Sequence, residues 1–254
     1  MHSDREAVPE EGNSPLENEA GGPLVSCILA TRNRPGFFRQ ALRCYLRQAY
    51  RPSELVVVDD GERTVEDLCI GQPGVRYIRL SKYTVLGAKL NLGIEQCGGS
   101  ILQKMDDDDY YHPAFLERAV AHLAAVDTVV AWDCFLVLLA GDGCLRHSGH
   151  SWAAGATLCF YRELWQHKPF RDVPSRVDRW FLADTGHSIR RVCEPELFVV
   201  VRHGGNTWTA VNSEYSVDDY LRKRPPYPKP LRDMIEPADW GFYEALARGE
   251  VPSG

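Results

Sequence analysis

Apolar runs of strand length alternate with helical segments over the first half of this 254-residue chain, and this alternation constrains the fold most. Continuous apolar runs predict buried strands, and apolar residues spaced three or four apart predict helices. The predicted strands are 24–30, 55–58, 75–80 and 100–105, and the predicted helices begin at Pro35, Gly87 and Pro113. The pattern favours an α/β fold with a mainly parallel, Rossmann-like central sheet flanked by helices.

The second half of the chain alternates less regularly and is expected to form a smaller region beside this sheet. Its predicted elements are one or two strands in 128–139, a loop running into a strand in 152–161, a polar helix over 177–185 and a strand over 197–201. A proline-rich stretch after Tyr215 indicates an extended connection to a short final helix at 240–247. The expected boundaries are therefore a leader over 1–22, a main domain over 23–215 and a C-terminal extension over 216–254.

The leader is expected to be disordered, because its polar and acidic composition cannot bury enough apolar surface to offset the entropy of ordering. It carries six acidic residues and one arginine, which is −5 of the net charge of −6, so the remaining chain is nearly neutral. This excludes the basic surface typical of nucleic-acid-binding proteins. No apolar run reaches the roughly 18 residues of a membrane helix, and the N-terminus lacks signal-peptide features.

Eight cysteines are scattered along the chain without a C-x-x-C pair. Several lie in apolar stretches, so we interpret them as reduced thiols of the core and expect a cytoplasmic protein. The alternative is a structural zinc site or a set of disulfides.

Four consecutive carboxylates, Asp106 to Asp109, follow the predicted strand 100–105. Unit charges about 4 Å apart repel by roughly 4 kcal/mol at an effective dielectric near 20, so this cluster predicts a bound divalent cation. The alternative is an exposed acidic turn before the helix at Pro113, with Asp109 or His112 near its cap. Because 31–34 and 59–61 also follow predicted parallel strands, three polar loops should meet at one edge of the sheet, and this favours the metal site.

Five segments occur in an order and spacing that are specific together, although each is weak alone. They read VSCILATRNRP, ELVVVDDG, GAKLNLGIEQCGGSILQKMDDDDYYHP, ATLCFYRELW with VDRWF, and RHGGNTW. With them, residues 24–209 resemble the family 2 glycosyltransferases, which have the GT-A fold and use nucleotide-sugar donors. The resemblance implies a metal-dependent, inverting transfer from a nucleoside diphosphate sugar, with UDP favoured, to a hydroxyl of a glycan, a lipid-linked or a small-molecule acceptor.

The resemblance assigns the first strand and its loop to the nucleoside and the DDG aspartate to the base. The residues it implies for the donor nucleotide are Thr31, Arg32, Asn33, Asp60, Lys89, Asp106 and Asp107. Three alternatives stay open from the residues themselves. Asn33 can cap the helix at Pro35, Asp60 can stabilise a turn, and Lys89 lies off the apolar face of its helix, where a solvated position is common.

The family's D-x-D motif falls on Asp106 and Asp108, with Asp108 the first choice as ligand of Mn²⁺ or Mg²⁺. Such ions take only one or two carboxylates beside phosphate oxygens and water, so Asp109 is expected to cap the next helix or position waters. His203 corresponds to a histidine that contacts the metal or diphosphate in relatives, although a histidine at a strand end is equally compatible with the sequence.

Asp178 matches the family's general base, while the glutamate that usually precedes it is Val177 here. The alternative for Asp178 is a carboxylate on a helix face paired with a nearby arginine. Trp152 and Trp180 are candidates to stack on an acceptor sugar, or belong to the core. Gly155 either permits close approach of the acceptor or makes a turn.

Two other classes of function share parts of this pattern. A nucleotidyltransferase has a similar sheet and metal, but normally carries a Gly-rich basic loop after its first strand, where this chain offers only Gly36. A calcium-binding module of the EF-hand type needs a central glycine that DDDDYYHPAFLE lacks. The loss of glutamate at Val177 also leaves open a degenerate transferase that binds nucleotide sugars without turnover.

Overall fold

A computed structural model describes residues 22–125, 129–150, 152–186, 189–209, 216–250 and 252. The predicted leader therefore lies outside the described residues, except for residue 22. The strands are β1 Val25–Thr31, β2 Ser53–Asp59, β3 Val75–Arg79, β4 Ile101–Met105, β5 Tyr110–Tyr111, β6 Val129–Cys134, β7 Leu136–Leu139, β8 Leu145–His147, β9 Cys159–Tyr161, β10 Ile189–Cys193 and β11 Phe198–Arg202. The α-helices are α1 Pro35–Leu46, α2 Glu66–Cys69, α3 Leu86–Glu95, α4 Phe115–Ala124, α5 Arg162–His167, α6 Val177–Thr185, α7 Val217–Arg222, α8 Leu231–Met234 and α9 Trp240–Ala247.

Within these ranges the strands form two sheets, the larger in the order β10-β6-β9-β4-β1-β2-β3. The pairs β4-β1, β1-β2, β2-β3 and β10-β6 are parallel, whereas β9 is antiparallel to both of its neighbours. The larger sheet is thus mainly parallel, as predicted. Thr31 pairs with Asp59 and Leu29 with Met105, so the loops that follow β1, β2 and β4 leave the sheet at the same edge.

The apolar run of β1 is continuous because both faces of the sheet are covered. Cys27 and Leu29 belong to one hydrophobic cluster, which includes α1, whereas Ile28 belongs to a second cluster with Leu90 and Ile94 of α3. Buried parallel strands read in this way because no face meets water.

The smaller sheet has the order β5-β11-β7-β8. β5 directly follows the aspartate run and pairs antiparallel with β11, and Asp109 Oδ1 accepts a hydrogen bond from the Val201 amide at 3.0 Å. This pairing carries the residues after β11 to the edge of the larger sheet where the aspartates lie. Asp109 therefore binds β11 and does not cap α4, contrary to one sequence prediction.

The prediction for 128–139 is resolved into two strands that belong to different sheets, with Thr128 outside the described residues. β6 lies in the larger sheet and β7 in the smaller, and the Phe135 amide between them donates to Ser148 Oγ. Helix α6 has the predicted bounds, and so does α9. The predicted extended connection before α9 is wrong in part, because α7 and α8 form within it. Among the described residues, no helix is both long and apolar enough to cross a membrane.

The prediction that all the cysteines are reduced thiols is wrong for one pair. Cys134 and Cys193 form a disulfide in the structure. They are register partners on β6 and β10, and this proximity of residues 59 apart in sequence arises only when the parallel sheet assembles. Five of the remaining cysteines are buried and free, and Cys144 is partly exposed.

Candidate active site

Side chains from the loops after β1, β2 and β4 contact one another at the carboxyl edge of the larger sheet. Thr31 Oγ1 donates to Asp107 Oδ2 at 2.7 Å, which joins the β1 and β4 loops. Lys89 Nζ of α3 donates to Asp60 Oδ1 at 2.8 Å and to the Thr31 carbonyl at 3.2 Å. These bonds join α3 to the loop after β2 and to the end of β1. The predicted convergence is therefore present, and Lys89 is buried here rather than solvated.

The aspartate run divides into two groups by the direction of its side chains. Asp106, Asp108 and Asp109 each offer a carboxylate oxygen, and these three atoms lie within 4.8 Å of one another. Asp107 turns inward to Thr31. Carboxylate oxygens are ligands that Mg²⁺ and Mn²⁺ prefer, so these side chains fit such an ion.

Two cations of the chain itself lie against the aspartates. Arg34 Nη1 is 3.0 Å from Asp107 Oδ1 and 2.8 Å from Asp108 Oδ2, and Lys104 forms an ion pair with Asp106. Sequence reasoning assigned all the compensating charge to a bound ion and missed both residues. Four carboxylates face these two cations, so the carboxylates outnumber the cations of the chain that contact them.

The environment shifts the pKa values of these aspartates in opposite directions. Burial, and then the charge of Asp108, raises the pKa of Asp107 to about 6 despite the opposing effect of Arg34. Burial also acts to raise the pKa of Asp108, but the His203 hydrogen bond and the Arg34 charge outweigh it, so this pKa is lowered. Burial and the charges of Asp108 and Asp106 raise the pKa of Asp109 well above its usual value. Asp108 is thus the member of the cluster best held as an anion.

His203 and Asn206 hold the other side of Asp108. His203 Nε2 lies 3.0 Å from Asp108 Oδ2, and Asn206 Nδ2 donates to the same oxygen at 3.2 Å. The Gly205 amide donates to His203 Nδ1 at 3.1 Å, so in this arrangement the ring proton lies on Nε2 and His203 donates to the carboxylate. The histidine contacts the proposed metal ligand and in this tautomer offers no lone pair to the ion itself.

The residues predicted for the nucleoside lie at the rim of this edge. The Arg32 guanidinium stacks over the Tyr83 ring at 4.6 Å, with both side chains exposed. Asn33 Oδ1 accepts from the Arg63 amide at 2.9 Å and makes no cap for α1, which rules out the capping alternative. Asn33 has a φ of 56°, a left-handed conformation that asparagine tolerates.

The two aspartates of the DDG segment differ in role. Asp59 accepts hydrogen bonds from the amides of Gly61 and Val65, at 2.8 and 3.0 Å, and so stabilises the turn. Asp60 instead binds Lys89 and accepts from the Thr84 amide at 2.7 Å, and its side chain is fully covered. In this arrangement Asp60 fixes Lys89 and the segment before α3.

Asp178 lies half-buried in the first turn of α6, where the helix dipole favours a carboxylate. It has no hydrogen-bond partner among the described residues, which leaves its oxygens free to accept a proton, and the predicted alternative of a paired carboxylate is absent from that part of the chain. A Cβ on Gly155 would lie 2.6 Å from Asp178 Cγ, so Gly155 gives the carboxyl group its space. Val177, at the position of the family's glutamate, is buried in the core.

The two tryptophans predicted for the acceptor differ in position. Trp152 makes edge contacts with Trp208 and Tyr220 and packs against the hydrophobic core. Trp180 is exposed and stacks with the Arg171 guanidinium at 4.5 Å. Residues two apart on a helix point to different sides, so Trp180 does not share the face of Asp178.

A family model described as Glycosyl transferase family 2 matches residues 26–179, more than half of the chain. An uncharacterized glycosyltransferase of Rickettsia prowazekii is 30% identical over 106 residues, 41% of this chain and 33% of that protein. The UDP-Gal:alpha-D-GlcNAc-diphosphoundecaprenol beta-1,3-galactosyltransferase of Escherichia coli is 29% identical over 94 residues, 34% of each chain. The matched stretch thus spans about a third of each of these relatives.

Two solved structures share the fold at low sequence identity. S. aureus TarS 1–349 in complex with UDP-GlcNAc has a TM-score of 0.58 at 16% identity, over 72% of this chain and 59% of that one. The mannosyltransferase PcManGT of Pyrobaculum calidifontis, in complex with GDP-Man and Mn²⁺, has a TM-score of 0.56 at 19% identity, over 71% and 56%. The two sheets and flanking helices therefore have the GT-A architecture, which confirms the predicted fold class.

Proposed function

The chain belongs to glycosyl transferase family 2, and from this premise we propose that it moves a sugar from a nucleoside diphosphate sugar to a hydroxyl acceptor. The observation that carries the proposal is the meeting of three groups at one edge of the larger sheet. These are the Thr31 loop, the carboxylate oxygens of Asp106, Asp108 and Asp109, and the carboxylate of Asp178, whose charge acts on Lys104 as that of Asp106 does.

The donor would lie across the carboxyl ends of β1, β2 and β4. Arg32 and Asn33 at the rim would face the base and ribose, while Lys89 and Asp60 would hold the floor of the nucleoside site. We favour a uridine diphosphate sugar, since the E. coli relative is a UDP-Gal transferase and TarS was solved with UDP-GlcNAc, whereas PcManGT was solved with GDP-Man. Glycan, lipid-linked and small-molecule hydroxyls remain the proposed acceptors.

Asp108 and Asp106 would bind a Mn²⁺ or Mg²⁺ ion directly, and Asp109 would lie close enough to position its waters. Asp107, Arg34 and Lys104 fix these carboxylates. Such an ion acts as a Lewis acid on the charge that develops on a departing diphosphate. His203 and Asn206 orient the Asp108 carboxylate by hydrogen bonds. In this form of the proposal His203 acts on the metal through Asp108.

Asp178 would remove the proton from the acceptor hydroxyl as its oxygen attacks the anomeric carbon. The bond from that carbon to the diphosphate oxygen breaks at the same time, and its electron pair leaves with the diphosphate. Attack opposite the leaving group inverts the anomeric centre. Val177 takes no part because it is buried.

The test is binding of nucleoside diphosphates by calorimetry and thermal shift, with and without Mn²⁺, in wild type, Asp108→Asn and Asp67→Asn. We expect UDP to stabilise wild type only with Mn²⁺, by about 2.7 kcal/mol at a concentration 100 times Kd. Asp108→Asn should lose this effect, and exposed Asp67→Asn should keep it. Equal UDP affinity of wild type and Asp108→Asn in Mn²⁺ would contradict the proposal.

A further inference from the structure

A second cluster of metal-ligating side chains lies along the larger sheet, apart from the aspartates. Cys134 at the end of β6 and Cys193 at the end of the edge strand β10 are neighbours across the sheet. His150, which follows the β8 hairpin strand of the smaller sheet, offers a ring nitrogen within 4.8 Å of both sulfur atoms. β9 lies between β6, which carries Cys134, and β4, which delivers the aspartates, and the two clusters share no residue.

A fourth side chain, His147 of β8, contacts the same cluster. Its Nε2 atom lies 3.1 Å from Cys134 Sγ, and its Nδ1 atom accepts a hydrogen bond from the Gly149 amide at 2.9 Å. This second contact places the ring proton on Nε2, so His147 donates toward the sulfur. A thiolate is a far stronger acceptor for such a donor than a disulfide sulfur.

The disulfide alone does not account for two histidines that approach it from the other sheet. We propose that, when the two cysteines are reduced, Cys134, Cys193 and His150 bind a zinc ion, and His147 stabilises the Cys134 thiolate. Reduction by a dithiol breaks the sulfur–sulfur bond and adds two electrons and two protons. Zinc binding then displaces the two thiol protons, which go to solvent.

The ligand chemistry and spacing suit zinc. Two thiolates and an imidazole are the soft and borderline ligands that select Zn²⁺ over Mn²⁺ or Mg²⁺. Zn–S and Zn–N bonds of about 2.3 and 2.0–2.1 Å place tetrahedral ligand atoms roughly 3.3–3.8 Å apart, which the cluster can reach by side-chain rotation. Cys193 and His150 are exposed, so an ion can enter from solution, and the fourth coordination position is left to water.

The Asp133 carboxylate lies beside the cluster, next to the ring of His150. Asp133 Oδ1 lies 3.8 Å from His150 Nδ1, and a carboxylate near a ligating histidine commonly orients its ring. Arg191 Nη1 lies 3.8 Å from the other oxygen of Asp133. Bound zinc would therefore join the edge strand of the larger sheet to the β8 hairpin of the smaller one.

The experiment titrates fully reduced protein with Co²⁺, which reports thiolate ligation by a charge-transfer band, and then displaces it with Zn²⁺. We expect one ion per chain with this band in wild type and in Asp108→Asn, because aspartates give no such band. The band should disappear in Cys193→Ser and in oxidised wild type. The controls Cys144→Ser and His167→Gln change a free cysteine and an exposed histidine outside the cluster, and both should match wild type.

The two histidines should differ in effect. His150→Gln should weaken Zn²⁺ by more than 100-fold, and His147→Gln, which keeps a donor, by about 10-fold, the lower end of the range for residues that orient ligands. Circular dichroism confirms that each variant is folded. Absence of the Co²⁺ charge-transfer band in reduced wild type, or its persistence in Cys193→Ser, would overturn the zinc site. A protein that shows this band but does not bind UDP would contradict only the proposed transferase function. Equal losses in the two histidine variants would overturn the role given to His147.

Discussion

At the residue scale, the site depends on how a few buried charges are compensated. The Arg34 guanidinium lies against the aspartate run, where it binds Asp107 and Asp108 and also donates to the Gly205 carbonyl. The chain therefore carries its own partial substitute for a metal charge. A divalent ion that binds Asp108 must share this carboxylate with Arg34.

Arg34→Met should destabilise the metal-free protein and enlarge the stabilisation by Mn²⁺. Breaking a fully buried ion pair costs about 3–5 kcal/mol, and because Arg34 is 27% exposed we expect roughly 1–3 kcal/mol. The rise in Tm on adding Mn²⁺ alone, measured by calorimetry, should exceed that of wild type. Arg39→Met on the exposed side of α1 is the control, and an equal rise in wild type and Arg34→Met would show that Arg34 does not compete with the ion.

Asp178→Asn should separate catalysis from donor binding. The amide keeps the size of the side chain but cannot accept the acceptor's proton, so release of nucleoside diphosphate should fall by ~10² or more. UDP affinity in Mn²⁺ should stay unchanged in calorimetry. Asp184→Asn, which alters a partly exposed carboxylate of the same helix that pairs with Arg171, should retain activity. Turnover of Asp178→Asn at the wild-type rate would remove Asp178 from the mechanism and favour another base.

At the element scale, the position of Asp178 depends on the junction of two short elements. A 3-10 turn over Gly155–Thr157 packs against the start of α6, and the residue before that helix, Arg176, has a left-handed φ of 58°. The chain changes direction at Arg176, directly before α6 begins, and the Asp178 side chain lies against Gly155. The close fit explains why glycine occurs at 155, a need that the sequence alone left undecided between a turn and acceptor approach.

Gly155→Ala should displace Asp178 without affecting the donor site. The added methyl would lie 2.6 Å from Asp178 Cγ, so the carboxyl group or α6 must shift, at a cost of about 1–3 kcal/mol in stability. Turnover should fall at least tenfold, and UDP binding should remain. The matched control is Gly241→Ala in α9, where a Cβ meets no atom within 4 Å among the described residues. Wild-type turnover of Gly155→Ala would show that the fit between Gly155 and Asp178 has no catalytic role.

At the scale of the whole molecule, the C-terminal helices are part of the main core. Leu221, Tyr243 and Leu246 are completely buried within the cluster that contains β1 and α1. The covered Asp239 carboxylate binds Arg43 of α1 and Arg47, the residue that follows this helix. Segment 216–250 therefore contributes core side chains to the domain, although the sequence suggested an extension.

Leu246→Ala should lower the stability of the whole domain by about 2–5 kcal/mol, the usual range for truncating a buried leucine. Urea unfolding followed by tryptophan fluorescence and circular dichroism should show one coincident transition shifted to lower urea. The exposed Ile70 is 68% accessible, so Ile70→Ala should change stability by no more than about 0.5 kcal/mol. An early separate transition in Leu246→Ala would indicate that the C-terminal helices unfold independently.

The sequence by itself determined the elements whose signals are local. Continuous apolar runs and helical periodicity are patterns that span only a few residues. The first half of the fold, helices α6 and α9 and the position of the aspartate run after a strand could therefore be predicted from the sequence. Sequence likewise proposed Asp108 as metal ligand and Asp178 as general base through the resemblance to the family, and both assignments stay predictions. Short strands such as β5 and β10 were missed because their pairing partners, not their own composition, hold them in a sheet.

Tertiary structure alone decided which charges and thiols meet. Arg34 and Lys104 compensate the aspartates, Lys89 is buried against Asp60, and Cys134 reaches Cys193 only because strands distant in sequence become neighbours in the sheet. Electrostatic and covalent pairing depends on separation in space, and the order of strands sets that separation. The chain's sequence supplies the charged and sulfur groups, and the assembled sheets select their partners.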